Sequence, residues 1–268
     1  MNNKPYALIT GASLGIGKAL AYELASRNIN LLLIALPGKE LDYLVTAIQN
    51  NYQIEVHPFA IDLISEDPGK KIVEWVNENN YSVNILINNA GMGANGMFEY
   101  GDLDYYYKMI KLNTMAITSL TYHLVPKLKA HDEAFILNLS SIEAFMPLPY
   151  KAIYTGTKNF IYAFSLSLRE EMKHYNIKVS VLCPGPTITN RGGLMRIKAH
   201  GKKSKIMVLL AKQVAKIAIR QMFKSKGIII PGTMNYIMAH ISSSLPTKFR
   251  MRLLEKMFRV LRTKETVT

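Results

Sequence analysis

Tyr6-Ala7-Leu8-Ile9-Thr10-Gly11-Ala12-Ser13-Leu14-Gly15-Ile16-Gly17 is the stretch that decides the fold. It runs from a short apolar strand into a turn with three glycines. A helical pattern follows, with Leu20 and Leu24 on one face and alanines at 19, 21 and 25. Strand, glycine turn and helix form the context in which backbone amides at a helix N-terminus cradle a phosphate. The spacing here is G-x-x-x-G-x-G, not the G-x-G-x-x-G of the dinucleotide fingerprint, so that fingerprint is not claimed. Alone, the turn reads equally as a tight connection.

Working outward, six more apolar runs alternate with helical patterns. Strands are expected at 31–36, 54–61, 83–87, 135–140, 178–183 and 227–232. Helices are expected up to about 50, at 66–79, 102–129, from after Pro149 to about 175, and near 211–224. Alternating strands and helices mean βα units and a parallel sheet covered on both faces. Right-handed crossovers make it doubly wound, with ligands beyond the carboxyl ends of the strands. The polar signals lie there: Gly11–Gly17, Asp62, Asn88–Gly91, Ser140-Ser141 and Pro184–Thr187. The expectation is one α/β domain over 1–232, with a basic amphipathic helical extension of the same domain over 233–268.

Composition narrows the classes. The chain has 268 residues, 49% of them apolar, so it can bury a large core. Its one cysteine, Cys183, allows no internal disulfide and suits a reducing cytoplasm. It is read as a small core residue. No secretory leader is expected, because Met1 leads almost directly into the first strand. No apolar run reaches the ~18 residues that span a bilayer. The six histidines show no metal-ligand spacing, so no metal is expected. Net charge is +14 but uneven. Residues 1–190 hold 15 basic against 17 acidic side chains; residues 191–268 hold 18 against 2. Such a patch suits an anionic partner.

Chemistry concentrates in Ser141 and Tyr154-Thr155-Gly156-Thr157-Lys158. Tyr154 and Lys158, four apart on a helix, share one face. A cation near a phenol lowers a pKa that starts near ~10, so the tyrosine can exchange a proton near neutral pH. Ser141 lies past a strand end, with a hydroxyl free to hold an oxygen. Together they suggest a proton donor, its tuner and an anchor for a carbonyl or alcohol. On spacing alone, a half-buried ring and a solvated charge are the plainer account.

The ordered motifs resemble the short-chain dehydrogenase/reductase family. They are Thr10-Gly11-x-x-x-Gly15-Ile16-Gly17, Asp62-Leu63, Asn88-Asn89-Ala90-Gly91, Asn113, Ser141, Tyr154-x-x-x-Lys158 and Pro184-Gly185-x-Thr187. The resemblance implies a Rossmann-type, seven-stranded parallel sheet and an NAD(P)(H)-dependent exchange between a ketone and a secondary alcohol. Gly11, Gly15 and Gly17 would admit the cofactor phosphates, with Thr10, Ser13 and Ile16 beside them. Asp62 and Leu63 would meet the adenine; Asn88, Ala90 and Gly91 would line the adenosine side. Tyr154 would donate the proton, and Lys158 would bond the nicotinamide ribose and lower the tyrosine pKa. Ser141 would hold the carbonyl, and Asn113 a relay water. Pro184, Gly185 and Thr187 would meet the carboxamide end. Plainer roles remain for Asp62 as a cap and for Asn88 and Asn113 as buried structural groups.

The positions that often select the cofactor are Ser13 and Leu36, neither basic nor acidic. Lys39 lies close enough for a 2′-phosphate, which tilts the expectation to NADP(H) over NAD(H). Gly227-Ile-Ile-Ile-Pro-Gly-Thr-Met-Asn-Tyr236 and Leu245-Pro246 resemble, more loosely, the subgroup of long-chain ketoacyl and steroid reductases. A lipophilic ketone is then the expected substrate, and a homo-oligomer, dimer or tetramer, the expected state. At ~100° per residue, Phe249, Met251, Leu253, Leu254, Met257, Phe258, Val260 and Leu261 fill one wide sector of the last helix. Arg252, Lys256, Arg259 and Arg262 lie opposite, and Arg250 intrudes. That helix either packs on the sheet or a second subunit, or lies peripherally on the inner face of a membrane. The basic segment 196–205 would instead suit an acyl-CoA or acyl carrier. No nucleic-acid motif accompanies the charge. The alternative to an enzyme is a dinucleotide-binding protein that works through its basic tail.

Overall fold

A computed structural model describes residues 4–189 and 207–262. Seven parallel strands form one sheet in the order β3-β2-β1-β4-β5-β6-β9. They are β1 (Tyr6–Thr10), β2 (Asn30–Ala35), β3 (Val56–Ala60), β4 (Val83–Asn88), β5 (Ala134–Leu139), β6 (Ile177–Leu182) and β9 (Ile228–Ile229). β7 (Thr187–Ile188) and β8 (Leu209–Leu210) form a separate two-residue pair. The basic stretch 196–205 lies outside the described residues.

Strand residues point alternately to the two faces, and each face has its own core. Ala7, Ile9, Leu31 and Leu33 meet α1 (Gly15–Ala25), α2 (Lys39–Asn51) and α7 (Ala211–Met222) through Leu20, Leu44 and Ile219. Leu8, Leu32, Ile34 and Leu86 meet α3 (Pro68–Glu78) and α5 (Ala116–Leu128) through Ile72, Val76, Leu120 and Leu124. The central strands are buried on both sides, so their sequences read as continuous apolar runs. Pro58 sits in β3, an edge strand, where proline is tolerated.

The long helix expected at 102–129 is not continuous. α4 (Leu103–Ile110) passes through a π turn at Lys111–Met115 before α5 begins. Such a turn carries one extra residue, and it places Asn113 on the inside. α6 (Ala152–Met172) carries Tyr154 and Lys158. The C-terminal helices are α8 (Thr233–Ser244) and α9 (Thr247–Phe258).

Sheet order reverses between β1 and β4, which opens a crevice beyond their carboxyl ends. A buried polar ladder ties the sheet together behind it. Asn88 Nδ2 donates to Asn138 Oδ1 at 2.9 Å and to Thr121 Oγ1 at 3.1 Å, and Asn138 Nδ2 donates to Ser165 Oγ at 2.9 Å. The Asn88 amide is therefore spent on the core, the structural role that was the plainer account for it.

Candidate active site

The first wall of the site is the glycine turn. Thr10 Oγ1 accepts hydrogen bonds from the Asn89 and Ala90 amides at 3.0 and 3.1 Å. Asn89 Nδ2 returns two, to the Thr10 and Gly11 carbonyls at 2.9 and 3.0 Å. The ends of β1 and β4 are thus held as one unit across the crevice. Gly17 sits under this lock: a Cβ there would lie 2.1 Å from the Gly11 carbonyl oxygen and 2.4 Å from Asn89 Nδ2. Gly11 and Gly15 have φ of +62° and +57°, where side chains are strained.

Helix α1 begins at this turn with no side-chain cap and no acid in its first turn. Its first amides are therefore open donors at the positive end of a helix. That suits an anionic phosphate, and with the glycine lock behind it the site fits a dinucleotide. Ser13 lies in the same turn. Lys39 is exposed at the first position of α2, and Leu36 is exposed at the end of β2. Asp62 accepts from the Ile64 amide at 2.9 Å, so it closes a local turn. Thr10, Leu63, Asn88 and Ala90 line a small recess beside the crevice.

The second wall is α6. Ser141, Tyr154 and Lys158 line a cleft of about 580 Å³ together with Ile16, Gly91 and Thr187. Pro184 and Gly185 complete its floor. Asn113 lies just behind: a Cβ on Gly91 would be 3.1 Å from Asn113 Oδ1 and 3.4 Å from Lys158 Nζ. Both Asn113 Nδ2 donors are engaged, and its oxygen accepts one bond. Its Oδ1 accepts from the Met92 amide at 3.0 Å, while its Nδ2 donates to Met92 O and Thr157 Oγ1, both at 2.9 Å. It pins the loop after β4.

Electrostatics differ from the simple picture of a lysine that acidifies a tyrosine. Burial and the nearby Glu143 carboxylate push the Tyr154 phenol above its usual range, and the Ser141 hydroxyl offsets part of this. Lys158 Nζ donates to the Leu139 carbonyl at 3.0 Å and lies 5.7 Å from the centre of the Tyr154 ring. Burial lowers Lys158 to about 8, while Cys183 and Glu143 favour its charge. The Cys183 thiol, fully buried, is pushed up to about 12 by burial. The resting site thus holds a protonated phenol beside a lysine poised near neutrality.

Glu143, Lys151 and Asn89 were not among the expected site residues. Glu143 Oε1 accepts from Lys151 Nζ at 2.8 Å, and both line the cleft. Asn89 stood in the quoted Asn88–Gly91 motif, but only the fold shows that it, rather than Asn88, reaches the turn. Lys151 carried no signal of its own beyond being close to Tyr154 in sequence.

Apolar walls continue outward. A recess of about 390 Å³ adjoins the cleft at Tyr154, lined by Met97, Phe98, Met109 and Ile153. Ile142, Met146 and Leu148 form a cluster with Leu254, Met251 and Phe258 of α9, and Phe258 also lines the cleft. Tyr150, at φ +68°, ties this side to α9 by donating to Glu255 Oε1 at 2.9 Å.

Comparison with known proteins agrees with this geometry. The short chain dehydrogenase family pattern matches residues 5–197. The human very-long-chain 3-oxoacyl-CoA reductase is 32% identical over 183 residues, which cover 67% of this chain and 58% of that protein. The human 17-beta-hydroxysteroid dehydrogenase type 3 matches to the same extent. The chain thus aligns with little more than half the length of these relatives. A short-chain dehydrogenase from Sphingobium yanoikuyae, solved in complex with NADPH, is 26% identical with a TM-score of 0.76, covering 91% of this chain and 97% of that one. With the family pattern spanning most of the chain and the fold shared over 91% of it, the protein belongs to the short chain dehydrogenase family.

Proposed function

We propose that this protein is an NAD(P)(H)-dependent oxidoreductase that interconverts a ketone and a secondary alcohol on a lipophilic substrate. The observation that carries the reading is the convergence of Ser141, Tyr154 and Lys158 on one cleft, opposite the uncapped start of α1. Ser141 orients the substrate oxygen toward Tyr154. Tyr154 holds its proton in the resting state and gives it to that oxygen. Lys158, as a cation, stabilises the phenolate left behind. A bound nicotinamide dinucleotide would supply or accept the hydride. Gly11, Gly15, Gly17 and the first amides of α1 would hold its phosphates, with Thr10, Ser13 and Ile16 beside them. Leu63, Ala90 and Gly91 would border its adenosine side, and Pro184, Gly185 and Thr187 its nicotinamide end.

The apolar recess beside Tyr154 and the α9 wall support a lipophilic ketone, such as a long-chain 3-keto lipid, a ketoacyl thioester or a steroid. The human relatives are named for substrates of this kind. Lys39 supports NADP(H) over NAD(H), because no acid stands at the end of β2 to meet a ribose hydroxyl. We also propose a cytoplasmic homo-oligomer. Leu103, Tyr107, Met115, Tyr122 and Phe160 are exposed on α4 to α6 and offer an apolar face for a second copy.

Tyr154→Phe tests the chemistry. It should bind NADPH as the wild type does and lose at least about a hundredfold in turnover of a long-chain ketone. Near-normal turnover would overturn the mechanism. Lys39→Ala should weaken NADPH binding and leave NADH binding unchanged; equal effects on both would remove the 2′-phosphate role.

A further inference from the structure

The wide apolar sector of α9 is divided in two by the fold. At ~100° per residue, Leu254, Phe258 and Met251 fall at about 140–200° from Phe249. These are the residues that pack beside the cleft. Phe249, Val260 (in the short 3-10 turn Arg259–Leu261 that follows α9), Leu253 and Met257 fall at about 0–80° on the same scale. They are exposed by 58%, 75%, 41% and 55% of their surface. Lys248, Arg259, Arg252 and Lys256 fall at about 260–340°, bordering that outer stripe. All four are exposed. Ile237 and Ile241 of α8 are exposed as well.

Such a surface is costly for a monomer in water and needs a cover. Residues 233–262 carry six basic side chains and one acid, Glu255, which is already bridged to Arg259 at 2.7 Å. Two copies meeting through this face would bring like charges together, and a hydrophobic partner alone would leave them unmatched. An anionic bilayer surface satisfies both parts: acyl chains take the outer stripe, and phosphate headgroups meet Lys248, Arg252 and Lys256 beside it. No described helix is long and apolar enough to cross a membrane.

We propose that the outer face of α9 seats the protein on an anionic lipid surface, while its inner face walls the substrate cleft. The two faces are one helix thick, so a lipophilic substrate leaving the bilayer has a short path to Tyr154. This last step rests on the reductase reading; the docking itself does not.

The test is sedimentation of the full chain with vesicles, either phosphatidylcholine alone or mixed with phosphatidylglycerol. The wild type should bind the anionic vesicles at least about tenfold more tightly than the neutral ones, and added salt should weaken this. The triple variant Phe249→Glu, Leu253→Glu, Met257→Glu should lose at least about tenfold in vesicle binding. These positions face outward, so NADPH binding should be kept. Wild-type protein that ignores anionic vesicles would overturn the proposal, as would a variant that binds them unchanged. If the variant instead turns a dimer into monomers and the wild type binds no vesicle, the face joins two copies. If an acidic acyl carrier binds where vesicles do not, the partner is that protein; either result overturns the lipid assignment. Vesicle binding by a protein that turns over no ketone would support the docking and remove the reductase reading.

Discussion

Thr10→Val keeps the side-chain shape and deletes a single oxygen. That oxygen accepts the Asn89 and Ala90 amides at 3.0 and 3.1 Å, and Thr10 is only 3% exposed. An orphaned buried donor costs about 1–3 kcal/mol. Asn89 is buried, so its amide bears the full cost; Ala90 is half-buried, so water relieves part of its own. The loss is then about 2–4 kcal/mol. With a urea slope of about 2–3 kcal/mol per molar for a chain of this size, the unfolding midpoint should fall by roughly 1 M. Fluorescence of Trp75, the one tryptophan, follows the transition. Thr10→Ser, which keeps the oxygen, should stay near the wild type. Because the same bonds hold the glycine turn against β4, NADPH affinity should fall with stability in the valine variant and not in the serine one. A valine variant whose midpoint lies within ~0.2 M of wild type would show that the lock contributes nothing.

Gly17→Ala places a methyl where the Gly11 carbonyl and Asn89 already stand, so the turn must open. Stability should drop by about 1–3 kcal/mol, and NADPH binding, read by titration, should weaken at least about tenfold. Lys158→Met should abolish turnover yet stabilise the fold at pH 7. The native lysine sits at about 8, below its unfolded value near ~10.4, so the unfolded chain binds the proton more tightly. The penalty is full below about pH 8 and fades as pH rises toward the unfolded value. The stability gap between variant and wild type, on the order of 3 kcal/mol at pH 7, should therefore narrow over that window. A gap that is constant with pH, or of the opposite sign, would refute the buried ammonium.

The sheet was legible because its strands are covered on both faces and so carry unbroken apolar runs, such as Leu31 to Leu36. Its final strand was read as 227–232 but pairs only at Ile228–Ile229, since Pro231 and Gly232 end the ladder. The π turn was not read from the pattern, although one extra residue turns the apolar stripe that follows it by ~100°. Side-chain direction was the other gap. Asn88 and Asn89 are adjacent and identical, and only strand pleating sends one to the core and the other to the turn. Spacing likewise gives the Lys158 charge but not the burial or the Glu143 carboxylate that push the Tyr154 phenol the other way. The basic tail was read as one apolar sector because a wheel cannot tell a docked stripe from an open one.

The position of Pro58 bears on how copies of this chain can meet. A sheet grows by lending amides at its free edge to a new strand. At one end of this sheet, β3 has a proline at its centre, which has no amide hydrogen to lend. At the other, β9 offers only two residues of ladder. A proline on one rim and a strand of two paired residues on the other make both poor templates for a continuous sheet through two molecules. Such rims favour contact through helical surfaces, where a few side chains can adjust its strength without touching the sheet that carries the chemistry.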